Sequence, residues 1–322
     1  MKRELALGVL VLGGALVMSC AGTEEAEPET PPLAESQAEP PADAPPENVV
    51  EVERVEDNLF VLRGGGGNSA AFITSDGVVL VDTKLAGWGQ PLIDAVGELT
   101  SNPITTIINT HAHFDHVDGN AEFPPTVEFV AHENTQRLMR ENNAVRGLGS
   151  EPRPSPFDGD DANGIPEQTF TDTLTLGSDD DRVELHYFGR AHTSGDTWVE
   201  FPSLRTVHSG DAFPAKMVPI MDSNNGGSGV DYPETLRNAS AGLTEIDRII
   251  TGHGPVMGPT DLSDYAEFVA GFVSDAQAAK AAGTPAADFI AGWEPSGDFA
   301  DYVKGPAERL TTYAQDIYDA TP

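Results

Sequence analysis

The chain has 322 residues, 39% of them hydrophobic, with 52 acidic and 18 basic side chains and a formal net charge of −34. That length and apolar content suffice for one large domain or two small ones. The charge argues against a nucleic-acid partner, because such binding relies on Lys and Arg displacing counterions. Residues 21–48 hold eight acids and no base, and residues 1–20 are net +1, so −27 of the charge falls on 49–322. A soluble, salt-tolerant surface explains this excess more simply than a specific cationic partner does.

In chain order, the first segment is a targeting signal. Lys2 and Arg3 form a short basic region, and Leu5–Met18 is an apolar stretch too short for a typical membrane span. Val17-Met18-Ser19-Cys20 resembles the lipobox of bacterial lipoproteins. The resemblance implies a signal peptide over 1–20, lipidation of Cys20, and a lipid-anchored place in the bacterial cell envelope, facing the periplasm. Cys20 is the only cysteine, so an internal disulfide is excluded. Residues 21–48 are acidic, proline-rich and nearly free of large apolar side chains, which predicts a disordered tether.

Folded sequence is expected from Val49 to the end, as one domain over 49–322. Val49–Val55, Leu59–Arg63, Ala70–Thr74 and Val78–Asp82 read as strands, with turns between them. Gly64–Gly67 lacks a following lysine and leads into a strand, so it reads as a flexible hairpin and not a phosphate loop. Leu92, Ile93, Val96 and Leu99 share one face of a helix over Trp88–Leu99. Strands follow at Ile104–Asn109 and Val127–Ala131, then a helix at Glu133–Asn142. The Gly-, Pro- and Asp-rich stretch 144–167 reads as a long loop. Further strands are expected at Phe170–Leu176, Val183–Phe188, Thr197–Phe201, Thr206–Ser209 and Arg248–Thr251, and helices close the chain within 261–319. Strand clusters separated by helices, twice over, predict an α/β fold of two sheets packed face to face with helices outside.

The segment THAHFDHVDG, at 110–119, places His111, His113, Asp115 and His116 just behind a strand. Two histidines two apart at a strand end turn to the same side. Imidazoles and a carboxylate suit Zn²⁺, but four candidates exceed what one catalytic zinc takes from protein, since it keeps a position open. Either one ligand is idle or two metals are present. His192, Asp211 and His253 also sit in turns after predicted strands, where loops of layered α/β folds converge on a site. Seven candidates supply three ligands for each of two ions and one shared carboxylate.

Taken in order, His-x-His-x-Asp-His at 111–116, Gly-x-Ala-His-Thr at 189–193, Ser-Gly-Asp at 209–211 and Gly-His-Gly-Pro at 252–255 resemble the metallo-β-lactamase-fold hydrolase superfamily. The likeness runs from about Val49 to Gly258. It implies a four-layer αβ/βα sandwich with C-terminal helices as an addition. It also implies that His111, His113 and His192 hold one metal, that Asp115, His116 and His253 hold the other, and that Asp211 bridges them. The expected cofactor is a pair of Zn²⁺ ions, other divalent metals also suiting the donors. His113 stands where the flavodiiron branch has Glu, which favours zinc over an iron redox centre. With no cysteine at 211, a thiolate ligand is excluded. The implied chemistry is attack on an acyl carbon by water activated between two metals, with Asp115 orienting the nucleophile. The substrate would be a small-molecule lactam, lactone, ester or thioester. A phosphodiesterase of the same superfamily and a non-catalytic metal-binding lipoprotein are the competing readings; the acidity of 49–322 opposes the first, and the complete ligand set opposes the second. No nucleic-acid partner is expected, and the membrane is reached only through Cys20.

Asp82, Asp196 and His208 are expected to support the ligands from behind, with Asp118 a weaker candidate. Lys216, close after Asp211, is a candidate for gripping a substrate carboxylate, against an ordinary solvated lysine. His132 and His186 read as structural histidines. Asn224 and Asn225 read as turn formers, and Trp88 as flanking the site or starting a helix.

Overall fold

Apolar side chains on both faces of short strands set the layers of this molecule. The structure, a computed structural model, describes residues 48–149, 151–157, 159 and 163–322. The expected signal peptide, Cys20 and the tether up to residue 47 lie outside the described residues.

The first sheet has seven strands in sequence order. They are β1 (Glu51–Glu56), β2 (Leu59–Arg63), β3 (Ser69–Ile73), β4 (Val78–Val81), β5 (Ile104–Asn109), β6 (Glu128–His132) and β7 (Gln168–Phe170). Strands β1 to β4 pair antiparallel through tight turns. From β4 to β7 the pairing is parallel, which requires crossovers. Helices α1 (Gly89–Leu99), α2 (Phe114–Val117) and α3 (Glu133–Glu141) lie in those crossovers.

The second sheet contains β8 (Thr173–Leu176), β9 (Val183–His186), β10 (Trp198–Phe201), β11 (Thr206–His208), β12 (Arg248–Ile250) and β13 (Val256–Met257). These run antiparallel except for β11 and β12. That parallel pair is joined through α4 (Tyr232–Gly242), and α5 (Pro259–Ala281), α6 (Ala286–Gly292) and α7 (Ala307–Ala320) complete the chain.

Strand alternation assigns each side chain to a layer. Leu59, Val61, Val79 and Val81 meet Leu185, Val199 and Phe201 between the sheets. Phe72 and Phe201, one from each sheet, approach to 5.1 Å between ring centroids. Phe60, Leu62, Val78 and Leu80 face the other way, onto Leu92 and Val96 of α1. Trp198, Val207 and Ile249 turn outward from the second sheet onto Leu236, Tyr265, Val269 and Tyr313 of α4, α5 and α7. The result is the expected four-layer αβ/βα sandwich with C-terminal helices.

Two expectations are corrected. Phe170–Leu176 is not one strand. The chain turns at Thr171-Asp172, so β7 ends the first sheet and β8 begins the second. The apolar alternation is uninterrupted there because both pieces face the same inter-sheet core, through Phe170 and Leu174. No element is predicted between Ser209 and Arg248, yet α4 lies there, burying Tyr232, Leu236 and Ala239. The long loop is as expected: the described residues of 144–167 contain no helix or strand.

Candidate metal centre

Strand ends deliver every member of the cluster. β5 stops at Asn109, and His113 caps α2, whose first turn carries Asp115 and His116. His192 lies between β9 and β10, Asp211 follows β11, and His253 sits in the turn between β12 and β13. The structure thus brings all seven predicted residues to one edge of the sandwich. His111, His113 and His192 form one group able to hold a metal ion; His111, His116 and Asp211 form a second; Asp115, His116 and His253 form a third. Asp211 stands between them. Its Oδ2 is 3.6 Å from His192 Nε2 and 3.2 Å from His253 Nε2, and its Oδ1 is 3.4 Å from His116 Nε2. Asp115 Oδ2 lies 3.4 Å from His253 Nε2.

The hydrogen bonds behind the cluster fix which imidazole nitrogens face inward. His116 Nδ1 donates to Asp82 Oδ2 at 2.7 Å, His113 Nε2 to Asp222 Oδ2 at 2.7 Å, and His192 Nδ1 to the Ile220 carbonyl at 2.8 Å. Thr110 Oγ1 gives its proton to Asp82 Oδ2, so it accepts from His111 Nδ1 at 3.0 Å. With the rings neutral, the inward atoms carrying lone pairs are Nε2 of His111 and His192 and Nδ1 of His113; Nε2 of His116 also faces inward. His192 Nε2 and His113 Nδ1 stand 2.8 Å apart. Two lone pairs at that distance repel, so either a shared proton or a cation lies between them. His111 Nε2 and Asp211 Oδ1 are moreover buried without a hydrogen-bond partner among the described residues. Burial of such atoms is costly unless they are satisfied. Nitrogen and carboxylate donors with a fixed outer shell suit a divalent transition metal, zinc among them.

Electrostatics agree. Burial, with the neighbouring imidazoles, holds His111 well below its usual pKa and His192 down to about 4. Burial opposes charge on His116 too, but Asp211, Asp115 and Asp82 overcome it and raise that histidine well above its usual value. Asp211, despite burial, is held well below the carboxylate range by His253 and His116. Asp211 raises His253 as well, so His116 and His253 hold a proton more tightly than a free imidazole does, and metal binding must compete with it.

The supports sit deeper. Asp82 is fully buried with φ +57° and accepts from Thr110 N, Thr110 Oγ1 and His116 Nδ1. Asp196 accepts from Thr193 N and Oγ1 and shapes the turn after His192; burial pushes its carboxyl up to about 7. His208 accepts from Gly210 N through Nδ1 and donates through Nε2 to Asn68 O, tying the Asp211 turn to the β2–β3 loop. Asp118 is buried beside the site. Lys216 is placed elsewhere: its ammonium pairs with Asp261 at 3.1 Å, at the start of α5, and lies against the Tyr302 ring. His132 caps α3 and reaches Thr171 O. His186 bonds Glu200 at 2.9 Å on the second sheet and, with Glu184, forms a separate group of metal-capable atoms.

Gly64–Gly67 is corrected from a flexible hairpin to a closely packed one. A Cβ on Gly64 or Gly65 would overlap the Trp88 ring, one on Gly66 the Asp115 carbonyl, and one on Gly67 the His116 imidazole. Trp88 both precedes α1 and floors this loop.

Sequence reasoning missed two groups. Asp222 accepts from His113, from Asn225 Nδ2 at 2.6 Å and from three backbone amides; its signal was only an acid before the Ser-Asn-Asn turn. Lys84 is fully buried at φ +68°, and its Nζ donates to Gly67 O at 2.6 Å. Burial lowers its pKa to about 7.

A sandwich of this topology with histidines and carboxylates converging on its open edge defines a metal-dependent hydrolase. The sequence model of the metallo-beta-lactamase superfamily matches residues 62–261, more than half of the chain, and the protein belongs to that superfamily of metallohydrolases. It is 23% identical over 203 residues to the metallo-beta-lactamase type 2 of Bacteroides fragilis, covering 60% of this chain and 74% of that one. The metallo-beta-lactamase from Pontibacter korlensis superposes with a TM-score of 0.56 at 18% identity, over 68% of this chain and 98% of that one. The stereoselective inverting sec-alkylsulfatase Pisa1 from Pseudomonas sp. gives a TM-score of 0.70 at 16% identity. It covers 84% of this chain, which spans half the length of the sulfatase. At such identities the two solved structures share the fold.

Proposed function

We propose that the protein is a dinuclear zinc hydrolase that cleaves an acyl bond, in a lactam, lactone, ester or thioester, of a small molecule. The observation that carries this reading is the pair of inward nitrogens of His113 and His192, 2.8 Å apart, with Asp211 positioned between that pair and the His116–His253 pair. In this assignment His111, His113 and His192 hold one ion, Asp115, His116 and His253 the other, and Asp211 both. Bound zinc would supply an activated water and a Lewis acid for the scissile carbonyl. The chain supplies the rest. Asp82, Thr110, Asp222 and the Ile220 carbonyl keep the imidazoles in the ligating tautomer. Asp115, whose side chain is one-fifth exposed, presents its carboxylate at the open side of the cluster, where it orients the attacking water and accepts its proton.

Chelation is expected to abolish turnover in a screen of β-lactams, lactones, esters and thioesters, and two equivalents of Zn²⁺ to restore it. Full activity in metal-free protein would overturn the reading. Metal loss also removes binding energy from the folded state, about 2.7 kcal/mol per ion at a hundredfold excess over Kd. The acidic surface fits a small-molecule substrate and no nucleic acid. The remaining proposal is an envelope lipoprotein tethered through residues 21–48 to lipid on Cys20, tested by whether Cys20→Ser releases the protein from the membrane fraction.

A further inference from the structure

A cavity of about 160 Å³ adjoins the cluster on the His113 side and continues under the segment that follows α3. Val117, Met139 and Phe157 form its apolar floor. The Phe114 ring, with the Arg153 guanidinium 3.8 Å above its centroid, forms a wall. Leu148 lies at the mouth, 51% exposed although it is a large aliphatic side chain.

Several polar groups around the cavity are already engaged by the protein. Asn142 Nδ2 donates to Arg153 O, Asn143 Nδ2 to Glu141, and Asn225 Nδ2 to Asp222; Ser155 Oγ accepts from Phe157 N. Asp118 and Arg153 lie within electrostatic reach of each other and offset in charge. The accessible lining is close to half polar; its apolar part is the Val117–Met139–Phe157 floor with the Phe114 wall. His113 belongs both to this lining and to the metal-capable group, so the cavity abuts the metal centre at that imidazole.

We infer that this cavity is a substrate subsite for an apolar group, and that the preferred substrate carries a phenyl-sized or five- to six-carbon chain next to the bond that is cut. The inference deepens the acyl-hydrolase reading and rests on it for the bond. The size follows from the volume: an apolar cavity of roughly 150 Å³ accommodates a benzene ring. Each methylene moved from water into it is worth about fourfold in affinity. Apolar groups longer than the cavity gain nothing further.

The test uses the zinc-loaded full chain and the straight-chain carboxylates from acetate to decanoate, with calorimetry as the readout. A carboxylate can rest on the metals while its chain occupies the cavity, so binding is read without catalysis. Affinity should rise about fourfold per methylene to about hexanoate and then level off. Met139→Trp, which fills the floor, and Leu148→Asp, which makes the exposed mouth polar without disturbing the core, should flatten the slope and leave acetate binding unchanged. A flat series in the wild type, or a slope untouched in a folded Leu148→Asp protein, overturns the subsite. Kinetics on p-nitrophenyl esters of the same acids separates the two readings. Hydrolysis of every ester with no chain preference keeps the acyl hydrolase and removes the subsite. A steep binding series without hydrolysis keeps the subsite and removes the acyl hydrolase.

Discussion

Replacing Asp82 by asparagine isolates one hydrogen bond behind the metal centre. The backbone should survive, because Asp82 sits at φ +57° and asparagine tolerates left-handed conformations as well as aspartate does. Volume is unchanged in a fully buried site. What changes is donor and acceptor chemistry. The carboxylate accepts from Thr110 N at 2.8 Å through Oδ1, and from Thr110 Oγ1 and His116 Nδ1 at 2.7 Å through Oδ2. If the amide oxygen keeps Thr110 N, its NH₂ points at His116 Nδ1. The hydroxyl can rotate and accept, but His116 must give up its Nδ1 proton and carry it on Nε2, the nitrogen facing the cluster. A charge-assisted hydrogen bond worth about 1.5–3 kcal/mol is lost and a ligand lone pair is blocked. Loss of such an outer partner costs about 10–100-fold in metal affinity. Zinc titration against a competing chelator should therefore show one ion weakened by that factor. The other, which the proposal assigns to His111, His113 and His192, should change much less, because His113 and His192 keep Asp222 and the Ile220 carbonyl. Two unchanged affinities, or two equally weakened ones, would refute the reasoning.

Lys84→Met addresses the buried lysine. Its pKa of about 7 lies below the unfolded value, so between about pH 7 and 10.5 the unfolded chain holds a proton that the folded one lacks. Stability of the metal-free protein from this group rises with pH across that window, and below it the cost of the buried charge is fully present. Melting temperatures of the metal-free pair should show the variant gaining most on wild type below pH 7 and losing that advantage by pH 10, less a constant penalty for the undonated Gly67 carbonyl. A pH-independent difference contradicts this. Gly67→Ala adds one methyl, which meets the His116 imidazole; it should weaken the same ion as Asp82→Asn, and normal zinc stoichiometry at low zinc would refute the close packing.

The cluster of candidate ligands was legible because each member lies in a short turn after a strand, where spacing alone fixes direction: His111 and His113 point together whatever the rest of the chain does. Asp222 was not legible. Its role depends on His113, 109 residues away in sequence, coming within 2.7 Å, a distance that only the packing of both sheets creates. Gly64–Gly67 was misread for a similar reason, since composition reports conformational freedom and says nothing of the Trp88 ring and His116 imidazole pressed against it. The layers followed from apolar runs, but the break at Thr171-Asp172 did not, because one alternation serves strands of two different sheets. Helix α4 had a readable stripe in Tyr232, Leu236 and Ala239, diluted by the glycine-rich turn before it.

The loop at 144–167 divides the centre's donors by number as well as by position. His111, His113, Asp115 and His116 precede it, and His192, Asp211 and His253 follow it. Strand β7, which also follows the loop, completes the sheet that precedes it by pairing with β6. A single cut in the loop would yield two polypeptides, neither holding a full coordination sphere or an intact first sheet. Zinc would then serve as the bolt between fragments, and a split pair would reassemble only when the ion is supplied.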